Sequence, residues 1–182
     1  ISNGVNLIAF NFSFGIIFCM LISNRTVLPI FIILLFFSTY LRNFIYEDEF
    51  NLWFDVALKS SQKSRPHNNL GFAYQEFGLI DKAMREYQEA VKLNPKNAEA
   101  HNNLGIIYKN VGLIDEAIKE YNIAIALWKT FSEAHNNLGS AYEIKGLDDE
   151  AINEFKIALK LMPDLFITHN NLGAAYKDKG LI

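Results

Sequence analysis

The stretch HNNLG stands at His67–Gly71 and again at His101–Gly105, His135–Gly139 and His169–Gly173, each copy beginning 34 residues after the one before. Five identical residues at a fixed period of this length are the signature of a helical repeat array, in which each unit buries its apolar face only against its neighbours. The motif itself names no reaction.

Working outward from each copy, Leu, Gly and Tyr recur together as Leu70, Gly71, Tyr74; Leu104, Gly105, Tyr108; Leu138, Gly139, Tyr142; and Leu172, Gly173, Tyr176. This spacing puts Leu and Tyr one helical turn apart, with a Gly beside them where a neighbouring helix can approach closely. A second Gly follows at Gly78, Gly112, Gly146 and Gly180, the usual left-handed stop of a helix. Asp81, Asp115 and Asp149 come next and are placed to cap a following helix. That helix carries the triplets Ala83, Tyr87, Ala90; Ala117, Tyr121, Ala124; and Ala151, Phe155, Ala158, and Pro95 and Pro163 end it. Lys129 replaces the closing proline of the second unit, so that helix is expected to run slightly longer.

The unit of helix, Gly turn, helix and proline resembles the tetratricopeptide repeat from Ser64 to Ile182, with His where the family commonly has Trp. The implied fold is all-α, a solenoid of helical hairpins with units 64–97, 98–131, 132–165 and a partial 166–182. The last copy ends before its second helix, and the chain begins with Ile. It therefore reads as a fragment cut at both ends.

Residues 1–46 differ in kind, because Arg25 and Arg42 are the only charges before Tyr46. Val5 to Ile22 and Val27 to Leu41 are apolar runs separated by a polar patch. A bilayer span takes roughly 20 residues, so the second run qualifies only if it continues through Arg42. A signal peptide would need a basic leader and one short apolar core. Buried soluble helices would carry a polar stripe, which Ile30 to Phe37 lacks. A transmembrane helical pair preceding the solenoid is the expectation that remains. The positive-inside rule leans on Arg25 to put the short loop in the cytoplasm, which makes the chain an integral membrane protein with its repeats on the non-cytoplasmic side.

From Glu47 to Lys63, Phe50, Trp53, Phe54, Ala57 and Leu58 recur at helical spacing, as expected for a connecting helix that acts as an incomplete repeat. Thr39 to Gly71, through Thr39, Arg42, Asn43, Glu49, Leu52, Trp53, Lys59, Ser60, Arg65, Asn69, Leu70 and Gly71, resembles the junction in polytopic membrane proteins with C-terminal repeats, a group that includes transmembrane O-mannosyltransferases. In that group the catalytic acids lie upstream, so the resemblance implies none here.

Within the chain, no nucleophile and base, phosphate-cradling Gly loop or isolated carboxylate pair stands out, and no catalytic residue or cofactor is expected. The lone Cys19 excludes an intrachain disulfide. His67, His101, His135 and His169 lie one repeat apart, too far to converge on one metal ion, and read as packed or hydrogen-bonded side chains. A net charge of −3 offers no basic stripe, so nucleic acid is not an expected partner.

The asparagines carry the functional expectation. Asn68, Asn102 and Asn136, with Asn170, and beside them Asn69, Asn103, Asn137 and Asn171, recur in the first helix of every unit, where Asn is unfavourable by propensity. One role is hydrogen bonding between repeats. The other is a ladder of amides pairing with the backbone of an extended peptide, since an amide both donates and accepts. Similar repeats in O-linked N-acetylglucosamine transferases line their concave surface with such a ladder, and the resemblance implies Asn69, Asn103, Asn137 and Asn171 for it. The neighbouring positions Arg65, Glu99, Glu133, Phe72, Ile106, Ser140, Gln75, Lys109 and Glu143 do not match the Lys-rich clamp of chaperone-binding repeats. The expected function is a membrane-anchored scaffold for a protein or peptide ligand, and the alternative is the C-terminal part of a polytopic glycosyltransferase.

Overall fold

The computed structural model describes residues 27–180, which form eight α-helices and no strand. They are α1 (Val27–Lys59), α2 (Ser64–Glu76), α3 (Ile80–Leu93), α4 (Ala98–Asn110), α5 (Ile114–Leu127), α6 (Ser132–Ile144), α7 (Asp148–Leu161) and α8 (Phe166–Asp178). The chain divides into two compact units between Asp48 and Glu49.

The membrane expectation does not hold. Among the described residues no helix is long and apolar enough to cross a membrane. The apolar run Val27 to Leu41 is 15 residues, against the roughly 20 that a bilayer requires. Continuing the helix adds Arg42, Asn43, Glu47, Asp48 and Glu49 instead of further apolar length. The integral-membrane placement, and with it the non-cytoplasmic array, is corrected accordingly. Val5 to Ile22, the other half of the expected pair, lies outside the described residues.

In the second unit, α2 and α3, α4 and α5, and α6 and α7 pair as hairpins, and α8 packs on α7. Each hairpin closes over its motif glycine. A Cβ on Gly71, Gly105 or Gly139 would stand 2.6 to 2.8 Å from the ring of Tyr87, Tyr121 or Phe155. Those three rings are completely buried, and removing one such side chain from water contributes about 2 to 3 kcal/mol. The small residues around them, Ala83, Ala90, Ala117, Ala124, Ala151 and Ala158, are also fully buried, so the helices meet at backbone distance.

The connecting turns follow from Gly78, Gly112 and Gly146, with φ of 70°, 84° and 72°. In the first, Leu79 N–H donates to the Tyr74 carbonyl at 2.9 Å and Gly78 N–H to that of Gln75 at 2.9 Å, the paired bonds of a Schellman stop. The same pair of bonds recurs in the next two units. The aspartates do not cap the following helices. Leu79, Leu113 and Leu147 hold the N-cap positions without side-chain bonds, and Asp81, Asp115 and Asp149 fall inside the first turn. There they favour the helix dipole, and two reach across to the next repeat: Asp115 to Lys145 at 2.6 Å and Asp149 to Lys179.

Lys129 does not lengthen its helix. α5 ends at Leu127, in register with Leu93 and Leu161, because Trp128 turns extended and its ring stacks on Phe131 at 4.5 Å. Phe131 is buried between Ala124 and Ala134 and takes over the anchoring of that loop.

The C-terminal part of α1 covers the first repeat. Ala57 is buried, and Phe50 and Trp53 pack on the core of Leu70, Tyr74 and Tyr87. Phe50 meets Tyr74 edge-on at 5.2 Å and Phe77 at 5.6 Å. Trp53 stands 34 residues before Tyr87, so it occupies the aromatic position of a second helix. Phe54 and Leu58, expected on the same face, are exposed.

Candidate functional site

The first helices of successive repeats, α2, α4, α6 and α8, touch one another, whereas the second helices do not. The first helices therefore form the tighter, inner row of the stack. Both asparagines of each motif lie on this row, but the two behave differently. Asn68, Asn102 and Asn136 are buried, at 7%, 5% and 9% exposure. Asn69, Asn103, Asn137 and Asn171 are half-buried, and Asn170 is exposed.

The two sets are joined across the repeat boundaries. Asn103 Nδ2 donates to Asn68 Oδ1 at 3.1 Å, Asn137 to Asn102 at 3.0 Å, and Asn171 to Asn136 at 3.1 Å. The buried Thr168 adds a second donor to Asn136 Oδ1 at 2.9 Å. Each buried amide oxygen thus accepts from the following repeat, as a buried polar atom must. Each second asparagine has its amide plane fixed by that bond, while its oxygen and remaining N–H stay on the inner row. Asn97 adds a further tie, capping α4 through Ala100 N–H at 3.2 Å and donating to Ser64 at 2.9 Å.

The histidines lie apart from this row of amides. His67, His101 and His135 place Nδ1 at 2.7, 2.5 and 2.6 Å from Glu86, Glu120 and Glu154. Their Nε2 atoms face the carbonyls of Ser61, Pro95 and Lys129, and that of His169 faces Pro163. Each ring thereby fastens the turn of one repeat to the hairpin of the next. At His101 burial lowers the imidazole pKa, but the Glu120 carboxylate and the Pro95 carbonyl outweigh it, leaving the ring above its ordinary value. Among the described residues no group of three or more His, Cys, Asp or Glu side chains is placed to hold a metal ion. The glutamates were overlooked in reading the sequence, although each follows its histidine by 19 residues.

Further along the inner row the three hairpins differ at one position, held by Gln75, Lys109 and Glu143. Tyr87 Oη donates to Gln75 Oε1 at 3.1 Å. Lys109 reaches Ser140 Oγ at 3.4 Å, and burial depresses its ammonium pKa against the opposing charge of Glu143. Phe72 is exposed on the same row and Ile106 half-buried.

These features define a class: a right-angle stack of helical hairpins held by glycine–aromatic contacts, with an amide-lined inner row. The hairpins are tetratricopeptide repeats. The family described as TPR repeat matches residues 78–112 and 144–180, and that described as tetratricopeptide repeat matches residues 98–127. Among solved structures the chain is similar to MamA, with 26% identity and a TM-score of 0.67 over 75% of this chain and 80% of that one. It is also similar to the Arabidopsis OM64 TPR domain, with 25% identity and a TM-score of 0.62 over 63% and 95% of the two chains. The fold is shared with the first TPR of Spaghetti (RPAP3) bound to the HSP90 peptide SRMEEVD, at 24% identity and a TM-score of 0.64 over 66% and 95%. No curated protein matches the chain. The resemblance of the junction to transmembrane O-mannosyltransferases thus finds no counterpart among these relatives.

Proposed function

We propose that the array is a scaffold that binds a protein or an extended peptide along its inner row of helices. The observation that carries this reading is the set of second asparagines, Asn69, Asn103, Asn137 and Asn171, which recur once per repeat on that row. In the last three, one N–H is committed to the preceding repeat, so the amide is held in one orientation before any ligand arrives. Preorganisation of this kind lowers the ordering cost of association. The free amide oxygen and second N–H suit the alternating acceptors and donors of a peptide backbone, whatever its side chains. Asn68, Asn102 and Asn136 support the ladder from behind, since burial keeps them from direct contact.

The test uses the full chain, immobilised against an array of synthetic peptides, with Asn69, Asn103 and Asn137 changed together to Ala. Three lost hydrogen bonds at about 1 kcal/mol each weaken binding by roughly a hundredfold. The loss extends across peptides of different sequence while helical circular dichroism is kept. Unchanged binding by the folded triple variant rules the ladder out.

A further inference from the structure

Tyr121 is completely buried, yet its hydroxyl carries no hydrogen bond among the described residues. The reason lies in a substitution between repeats. Tyr87 and Tyr121 occupy the same place, each ring lying over the motif glycine, Gly71 or Gly105, of the facing helix. In the first repeat the phenol donates to Gln75 Oε1, one turn beyond Gly71. The residue one turn beyond Gly105 is Lys109, and an ammonium offers donors but no acceptor. The third repeat avoids the problem by carrying Phe155 opposite Glu143.

In the second repeat, then, a buried phenol and a half-buried ammonium converge on the inner row with an oxygen acceptor owed to both. Lys109 has Ser140 Oγ at 3.4 Å, a long contact, and feels the charge of Glu143 from the next repeat. Gln75 is the corresponding side chain of the preceding repeat. Two donors, one of them cationic, are matched best by a carboxylate, which only accepts and which forms shorter, stronger bonds with a charged donor. We propose that Tyr121 and Lys109 form a pocket for an Asp or Glu side chain of a peptide lying along the asparagine row. This rests on the peptide-binding reading above and adds a side-chain preference to it. The preference arises from position 109 alone, because the surrounding motif residues are the same in every repeat.

The experiment presents the full-length chain with a synthetic oriented hexapeptide library in which one position is fixed as Glu, Gln or Ala. Wild type, Lys109→Gln and Tyr121→Phe are compared. Lys109→Gln supplies the acceptor from within, as Gln75 does, and Tyr121→Phe reproduces the third repeat, so both variants fold. Wild type favours Glu over Gln at one position by about tenfold, the effect of one charge-assisted bond. Both variants lose that preference and still bind the Ala-fixed peptides. An equal response to Glu and Gln in wild type, or an undiminished preference in both variants, overturns the pocket while leaving peptide binding standing. Failure of wild type to bind any library member overturns both.

Discussion

Asn103 donates its side-chain amide to the buried oxygen of Asn68 at 3.1 Å across a repeat boundary, and this bond is repeated by Asn137 with Asn102 and by Asn171 with Asn136. It sets the phase of one repeat against the next and fixes the orientation of the amide that faces outward. Packing and recognition therefore share one side chain.

The bond is measurable apart from any ligand. Changing Asn102 to Ala removes the acceptor and leaves the Asn137 N–H without its partner, at a cost of about 1 to 2 kcal/mol. Urea unfolding is expected to show a lower midpoint. A double-mutant cycle with Asn137→Ala is expected to recover part of the loss, since the second change removes the stranded donor.

The motif glycines separate by context. Gly105→Ala drives a methyl to 2.6 Å from the Tyr121 ring and is expected to destabilise the array by about 1 to 3 kcal/mol. Gly173→Ala in α8 meets nothing within 4 Å and is expected to stabilise by about 0.5 to 1 kcal/mol through helix propensity. Thermal melts of the two variants, moving in opposite directions, check this.

His101 gives the array a pH dependence. Its folded-state pKa lies above the ordinary 6.5, because the Glu120 hydrogen bond and the Pro95 carbonyl overcome the effect of burial. The stabilisation is therefore fully present below pH 6.5 and is lost as pH rises through the folded value. Denaturant midpoints measured between pH 6 and 9 are expected to fall on the alkaline side, and His101→Gln is expected to flatten that slope. Replacing the ring by Ala strands a largely buried carboxylate and costs about 3 kcal/mol near neutral pH.

The ion pair of Lys145 with Asp115 is expected to contribute little. Asp115 is 79% exposed, and surface pairs of this kind contribute at most about 1 kcal/mol. Asp115→Asn should leave the melting temperature nearly unchanged in moderate salt, which a single calorimetric scan decides.

Much of the architecture was legible because it depends on local chemistry repeated in register. Gly78, Gly112 and Gly146 stop their helices in the left-handed conformation wherever the chain places them. The Leu, Gly and Tyr spacing is a property of one helix. The capping role of the aspartates was misread because helix starts are fixed by where the Schellman turn releases the chain, two residues before each Asp, at Leu79, Leu113 and Leu147. Lys129 misled because the anchor of its loop, Phe131, acts through a packed pocket and not through backbone restriction.

From the 34-residue period and its glycines, the sequence by itself determined the hairpin unit, its turns and its stacking partner. It left the two adjacent asparagines equivalent, since each recurs in every repeat. Successive residues on a helix point about 100° apart, so burial of one and partial exposure of the other depend on how each helix is rotated against its neighbours. Only the tertiary structure set that rotation, through the aromatic rings seated on the glycines. In doing so it made Asn68, Asn102 and Asn136 the buried acceptors, turned Asn103, Asn137 and Asn171 toward the inner row, and placed the Tyr121 hydroxyl where Lys109 cannot accept from it.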